Sequence, residues 1–152
     1  MKISFFLIPK DDIVYLDSNA TLRQAMEKMK YHSYTAVPLI NKDGSYAGTL
    51  TEGDILWALN DKINLAAKDT EHINLKTIHK KFHNKVVHID AEMEDLLTLS
   101  MNQNFIPVVD DRNIFIGIIR RREIIEYFAK KYYSQQHIHH YDKNNIPLSL
   151  AK

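Results

Sequence analysis

Apolar residues along this chain follow two different spacings, and the spacings alternate. Leu22, Ala25, Met26 and Met29 recur at i, i+3, i+4 and i+7, which is one face of a helix. Residues 35–40 and 46–50 are short apolar runs of strand character, joined by the polar turn Asn41-Lys42-Asp43-Gly44, good hairpin chemistry. A short apolar stretch, 13–16, precedes the helix, with Asp17 and Ser18 as its cap candidates, and a second helix is predicted from about 54 to 59. The order then returns: a strand at 86–89, a helix near 93–101, strands at 105–109 and 114–119, and a helix at 122–133 with Ile125, Phe128, Ala129 and Tyr132 as its apolar face.

The two passes are copies. Pro38 and Pro107 are 69 positions apart, and so are Gly48 and Gly117, in a chain with only four prolines and four glycines. Two anchors at one offset, with matching turns between them, define a duplicated βαββα module rather than a repeat array. From Asp17 to Pro38 is 21 positions and from Asp90 to Pro107 is 17, so copy two lacks about one helical turn. At roughly 50–60 residues, neither module buries enough apolar surface to be stable alone. The expectation is an α/β protein of two modules packed sheet to sheet as a pseudo-twofold pair. Module one covers 9–60 and module two covers 85–133. A partly helical linker at 61–84 has Ile73 and Leu75 packing inward, and a polar, His-rich tail spans 134–152.

Composition narrows the function. Twenty basic and 19 acidic residues leave a net charge of +1, which argues against a nucleic-acid or membrane-surface footprint. There is no cysteine, so disulfides, thiol catalysis and Cys-based zinc sites are excluded, in keeping with a cytoplasmic protein. The apolar run 3–8 is too short to span a membrane and lacks a signal cleavage site. No nucleophile–base set, paired-acid motif or phosphate-cradling glycine loop is visible, so no catalytic residue and no cofactor is assigned. His137, His139 and His140 lie in a tail without a supporting shell, and His79, His83 and His88 show no ligand spacing, so no metal site is expected.

Several residues together resemble the CBS-domain family. They are Pro9-Lys10-Asp11-Asp12-Ile13-Val14, Thr21-Leu22, Tyr34-Thr35-Ala36-Val37-Pro38 and Gly48-Thr49-Leu50-Thr51-Glu52-Gly53-Asp54, the last matching the family's Gly-apolar-apolar-Thr-x-x-Asp signature. The resemblance implies paired modules, frequent homodimerisation, adenosine-ligand binding between modules and a regulatory, non-enzymatic role that signals to a downstream protein. A narrower resemblance, carried by Asn104-Phe105-Ile106 and the late Arg pair, is to stand-alone CBS-pair proteins of Gram-positive bacteria that bind cyclic di-AMP. The ligand expected is therefore an adenine nucleotide, AMP, ATP or cyclic di-AMP.

The candidate nucleotide residues follow. Thr51 and Asp54 stand where a strand hands over to a helix, a junction suited to anions, with the Thr hydroxyl for a phosphate and the Asp carboxylate for ribose hydroxyls. The plainer alternative is a capping box that only starts the helix. Tyr34, Thr35 and Ala36 would read a purine through strand main chain, with Val14 as the opposite wall or an ordinary core residue. Copy two has Arg120 and Glu123 in place of the Thr and Asp, which makes a second identical site doubtful. Arg120, Arg121 and Arg122 there oppose the helix dipole, a conflict that a bound anion would relieve and that pairing with Glu123 and Glu126 would also answer. Two competing classes remain at this stage: a constitutive dimerisation or interaction module without a specific ligand, and an enzyme such as a nucleotide hydrolase.

Overall fold

The structure, a computed structural model, describes residues 1–61, 67–81 and 83–136. Module one is a three-stranded sheet of order β2-β3-β4, made of β2 (Leu16–Asp17), β3 (Ala36–Ile40) and β4 (Tyr46–Thr51), with helices α1 (Leu22–His32) and α2 (Glu52–Asn60). Module two repeats it with β5 (Val87–His88), α3 (Met93–Ser100), β6 (Phe105–Val109), β7 (Phe115–Arg120) and α4 (Arg121–Gln136). Its sheet gains a fourth strand, β1 (Ile8–Pro9), which pairs antiparallel with β7 and gives the order β1-β7-β6-β5.

The duplication extends to irregularities. Each hairpin carries a register shift at the same place, between Leu39 and Ile40 and between Val108 and Val109. Each turn needs a left-handed residue, which is Gly44 at φ 88° in one copy and Asn113 at φ 59° in the other. α1 has 11 residues and α3 has 8, so the turn missing from copy two is lost from the helix itself.

Two sequence expectations are corrected. The cap of α1 is Thr21, whose hydroxyl accepts from the Gln24 N–H while the Gln24 side chain accepts from the Thr21 N–H. Asp17 ends β2, and Ser18 is buried with its hydroxyl bonded to Asn41. The apolar face of α4 is Ile124, Tyr127 and Phe128, whereas Ile125 and Tyr132 are exposed. Over its described part the linker holds two short 3₁₀ helices, Ala67–Glu71 and Leu75–Thr77. Ile73 and Leu75 do pack inward, as expected, and with Ile78 they complete the first module's core. The histidine-rich stretch holding His137, His139 and His140 lies outside the described residues.

Among the described residues three apolar clusters hold the fold. One lies within module one, between its sheet and its helices. The second lies within module two and includes Ile3 from the N-terminus, fully buried with Met93, Leu96, Ile106, Ile119 and Ile124. The third joins the modules: Ile40 with Phe105, Phe115 and Ile118, bordered by Ile13, Ala36 and Tyr46. The Phe115 N–H also donates to the Gly44 carbonyl at 2.9 Å, tying one hairpin to the other. Among the described residues no helix is long and apolar enough to cross a membrane.

Candidate functional site

Each strand-to-helix junction faces the lead-in segment of the other module. The residues leading into module two run past the module-one junction, where the Lys81 N–H donates to Asp54 Oδ1 at 3.2 Å and Asn84 Nδ2 to Thr49 Oγ1 at 3.2 Å. Reciprocally, Ile8 and Pro9 pair with Ile118 and Gly117, and the 3₁₀ turn Lys10–Asp12 packs on β7. Two clefts result, each built from both modules.

This arrangement divides the residues that the sequence grouped into one site. Thr51 and Asp54 belong with the 81–85 segment. Val14 follows the turn that packs on β7, and Ala36 packs on the cluster containing Ile118 and Phe105, whose ladder partner is Arg120. Ala36 is also the ladder partner of Thr51, and the Thr35 carbonyl bonds the Glu52 N–H, so the start of β3 adjoins both junctions, while Val14 packs on the core of module one; the cleft at the 10–14 segment is called the first and that at the 81–85 segment the second.

Thr51 and Asp54 make the capping box. The Thr51 hydroxyl accepts from the Asp54 N–H at 3.1 Å, and Asp54 Oδ2 accepts from the Thr51 N–H at 2.9 Å. With Oδ1 taken by Lys81 and only 6% of the residue exposed, both carboxylate oxygens already serve the fold. Asp54→Ala is expected to cost about 1–3 kcal/mol, since it leaves two inward N–H groups without their acceptor. Urea unfolding measures this directly, and an unchanged midpoint would contradict it.

Tyr34 is turned to the helix side. Its ring stacks on His32 at 5.5 Å and lines, with Met26, Met29 and Ile55, a cavity of about 760 Å³ between α1 and α2. Thr35 is exposed, and its carbonyl accepts from the Glu52 N–H at 3.0 Å. Val14 is half-buried, and none of the described side chains bonds its main chain.

The arginines do three different things. Arg120 ends β7 and bonds Glu123 at 2.9 Å. Arg122 bonds Glu126 at 2.7 Å, an exposed contact that holds the Glu126 carboxyl below its ordinary range. Arg121 is a structural clamp: its Nε donates to the Gln103 carbonyl at 3.1 Å, and its guanidinium also meets the Asn104 side chain. Sequence reasoning missed Gln103 entirely. This buried side chain accepts from the Lys85 N–H at 2.8 Å and donates to the Lys85 carbonyl at 3.0 Å. Its only sequence signal is its place, opposite Tyr34 in the duplication. The structure also gathers His88 with Asp111 at 2.7 Å and Asp90 at 3.5 Å, an exposed grouping invisible in the histidine spacing.

Two βαββα modules that share an apolar interface, with a mixed-parentage cleft at each junction, define a tandem-module α/β protein of pseudo-twofold design. The chain belongs to the CBS domain family, which it matches over residues 7–61 and 75–130. An uncharacterised protein of Methanocaldococcus jannaschii is 26% identical to it over 148 residues, covering 79% of this chain and 87% of that protein. The inosine-5'-monophosphate dehydrogenase of the same organism is 26% identical over 117 residues, and there the chain spans only 21% of the enzyme. Among solved structures, CbpB in complex with cyclic di-AMP superposes with a TM-score of 0.74 at 21% identity, over 91% of each chain. CBSX2 in complex with AMP superposes at 0.66 and 19% identity, over 86% of this chain and 98% of that one.

Proposed function

We propose that this chain is a regulatory, non-catalytic CBS pair that binds an adenine nucleotide (AMP, ATP or cyclic di-AMP) in the first inter-module cleft and signals to a partner protein. The observation that carries the reading is the charge at that cleft. Arg120 and Arg122 place two exposed guanidinium groups at the N-terminal end of α4, against the helix dipole, and their partners are carboxylates of the same helix. Exposed ion pairs of this kind are worth about 0–1 kcal/mol, so a phosphate can take over either guanidinium at little cost. Val14, Thr35 and Ala36 supply main-chain and small-residue surface for a purine. The related structures that hold cyclic di-AMP and AMP support adenosine as the nucleoside. A ligand touching both modules shifts their relative packing by its differential affinity for the two arrangements, and a cytoplasmic partner reads the result.

A thermal-shift series with AMP, ATP, cyclic di-AMP and GMP tests this. At a hundredfold excess over the dissociation constant, linkage supplies about 2.7 kcal/mol, which is several degrees for a chain of this size. The proposal expects that shift from an adenine nucleotide and not from GMP. No shift from any of the three adenine ligands would contradict it.

A second reading, a dimerisation module whose clefts hold nothing specific, is favoured by Leu56 and Trp57 on α2 and Ile125 and Tyr132 on α4, all more than half exposed. A homodimer is part of both readings, so sedimentation should report about twice the chain mass. Only the sensor reading gives the nucleotide shift.

A further inference from the structure

In module two, the main chain equivalent to Val14 is already occupied, and by the protein itself. The ladders Leu16–Leu39 and Val87–Val108 are the same ladder in the two copies, so Val14 and Lys85, each two residues earlier, are counterparts. Tyr34 and Gln103 are counterparts at the 69-residue offset. Gln103 is 5% exposed, and its carboxamide makes a two-point bond to Lys85: Oε1 accepts from the N–H at 2.8 Å while Nε2 donates to the carbonyl at 3.0 Å. Nε2 also reaches the Phe105 carbonyl at 3.4 Å.

A carboxamide presents a donor and an acceptor side by side. Adenine presents the same pair at its amino group and adjoining ring nitrogen. Gln103 thus offers the Lys85 backbone what an adenine edge would offer. Other polar groups beside that cleft are also partnered within the chain. Asp54 accepts from the Thr51 and Lys81 N–H groups, and Asn84 donates to Thr49.

We infer that Gln103 is a built-in occupant of the second cleft, which closes it to adenosine and leaves this chain one nucleotide site instead of two. Among the described residues the first copy has no such occupant: Tyr34 carries no amide, and its ring stacks on His32. An adenine entering the second cleft would have to break both Lys85 bonds and leave a buried carboxamide with only the long Phe105 contact, which costs more than the exchange of exposed contacts. The asymmetry makes the paired modules inequivalent sensors, so that one ligand, bound on one side, biases the pair.

The inference rests on the adenosine reading above, and calorimetric titration of the full chain with AMP and, separately, with cyclic di-AMP tests the two apart. Wild type is expected to saturate at one nucleotide per chain. Gln103→Ala, and Gln103→Asn, which is a methylene too short to reach Lys85, are expected to gain a second binding event. Saturation of wild type at two AMP per chain overturns the plug and leaves the adenosine reading standing. A folded variant that still takes only one also overturns the plug. Absence of binding by wild type and both variants removes the adenosine reading and the plug together. The wild-type stoichiometry needs no variant, so it decides the matter even where a substitution impairs folding.

Discussion

Replacing Arg120 and Arg122 together by alanine is expected to weaken cyclic di-AMP binding about a hundredfold or more, because a charge-assisted contact to phosphate contributes about 1.5–3 kcal/mol and two are lost. The melting temperature without ligand should hardly move, since among the described residues the two guanidinium groups are bonded only to Glu123 and Glu126 of α4 and are more than half exposed. AMP binding should fall less, because one monoester cannot use both cations. The wild type is accordingly expected to prefer cyclic di-AMP to AMP. Arg121 is left intact in this test because it clamps the start of β6, and removing it would confuse binding with folding. Calorimetry on both proteins with both ligands gives the answer. Unchanged cyclic di-AMP affinity in the double variant would reduce the arginines to surface charges.

The largest effect on stability is expected at Gly117. It pairs with Pro9, and a Cβ there would collide with the Ile8 carbonyl oxygen, a backbone atom that cannot step aside. Gly117→Ala therefore lifts β1 from β7 and withdraws Ile3 from the core of module two. Gly48 is the control in the other copy. Its φ of 148° resembles the 159° of Gly117, so backbone strain is common to both, but a Cβ at Gly48 meets only the flexible Lys80 side chain at 3.5 Å. Gly117→Ala is expected to exceed Gly48→Ala by about 2 kcal/mol or more, the scale of losing one large buried side chain. Equal losses in urea unfolding would mean that the N-terminal strand contributes nothing to the second module.

The duplication explains why so much of the fold was legible from residues alone. Pro38/Pro107 and Gly48/Gly117 fix one offset, and that offset carries the hairpins, the turns and both junctions. What stayed hidden depends on contacts between segments distant in sequence. The run at the N-terminus gives no local sign that Ile3 and Ile8 complete module two, because the partner strand lies more than a hundred residues later. In α4 the face was misread by one position. Ile124 and Ile125 are equally apolar, and only packing against β7 and α3 chooses Ile124. Asp17 and Ser18 are good cap residues by type, but the strand ladder claims Asp17, and Thr21 with Gln24 makes the better reciprocal pair. The site failed in a similar way. Thr51 and Asp54 were recognised, but no spacing rule shows that Lys81 reaches the same carboxylate, or that Gln103 turns inward to Lys85.

The central claim, that an adenine nucleotide sits in the first cleft and spans both modules, is tested most directly by hydrogen exchange with and without cyclic di-AMP. Bound ligand is expected to slow exchange in the peptides covering 13–15, 34–36 and 119–123 together, while the Lys85 amide, already bonded to Gln103, exchanges at its unliganded rate. Slowing confined to the exposed face of α2 around Leu56 and Trp57, or no slowing at any of the three segments, would contradict it.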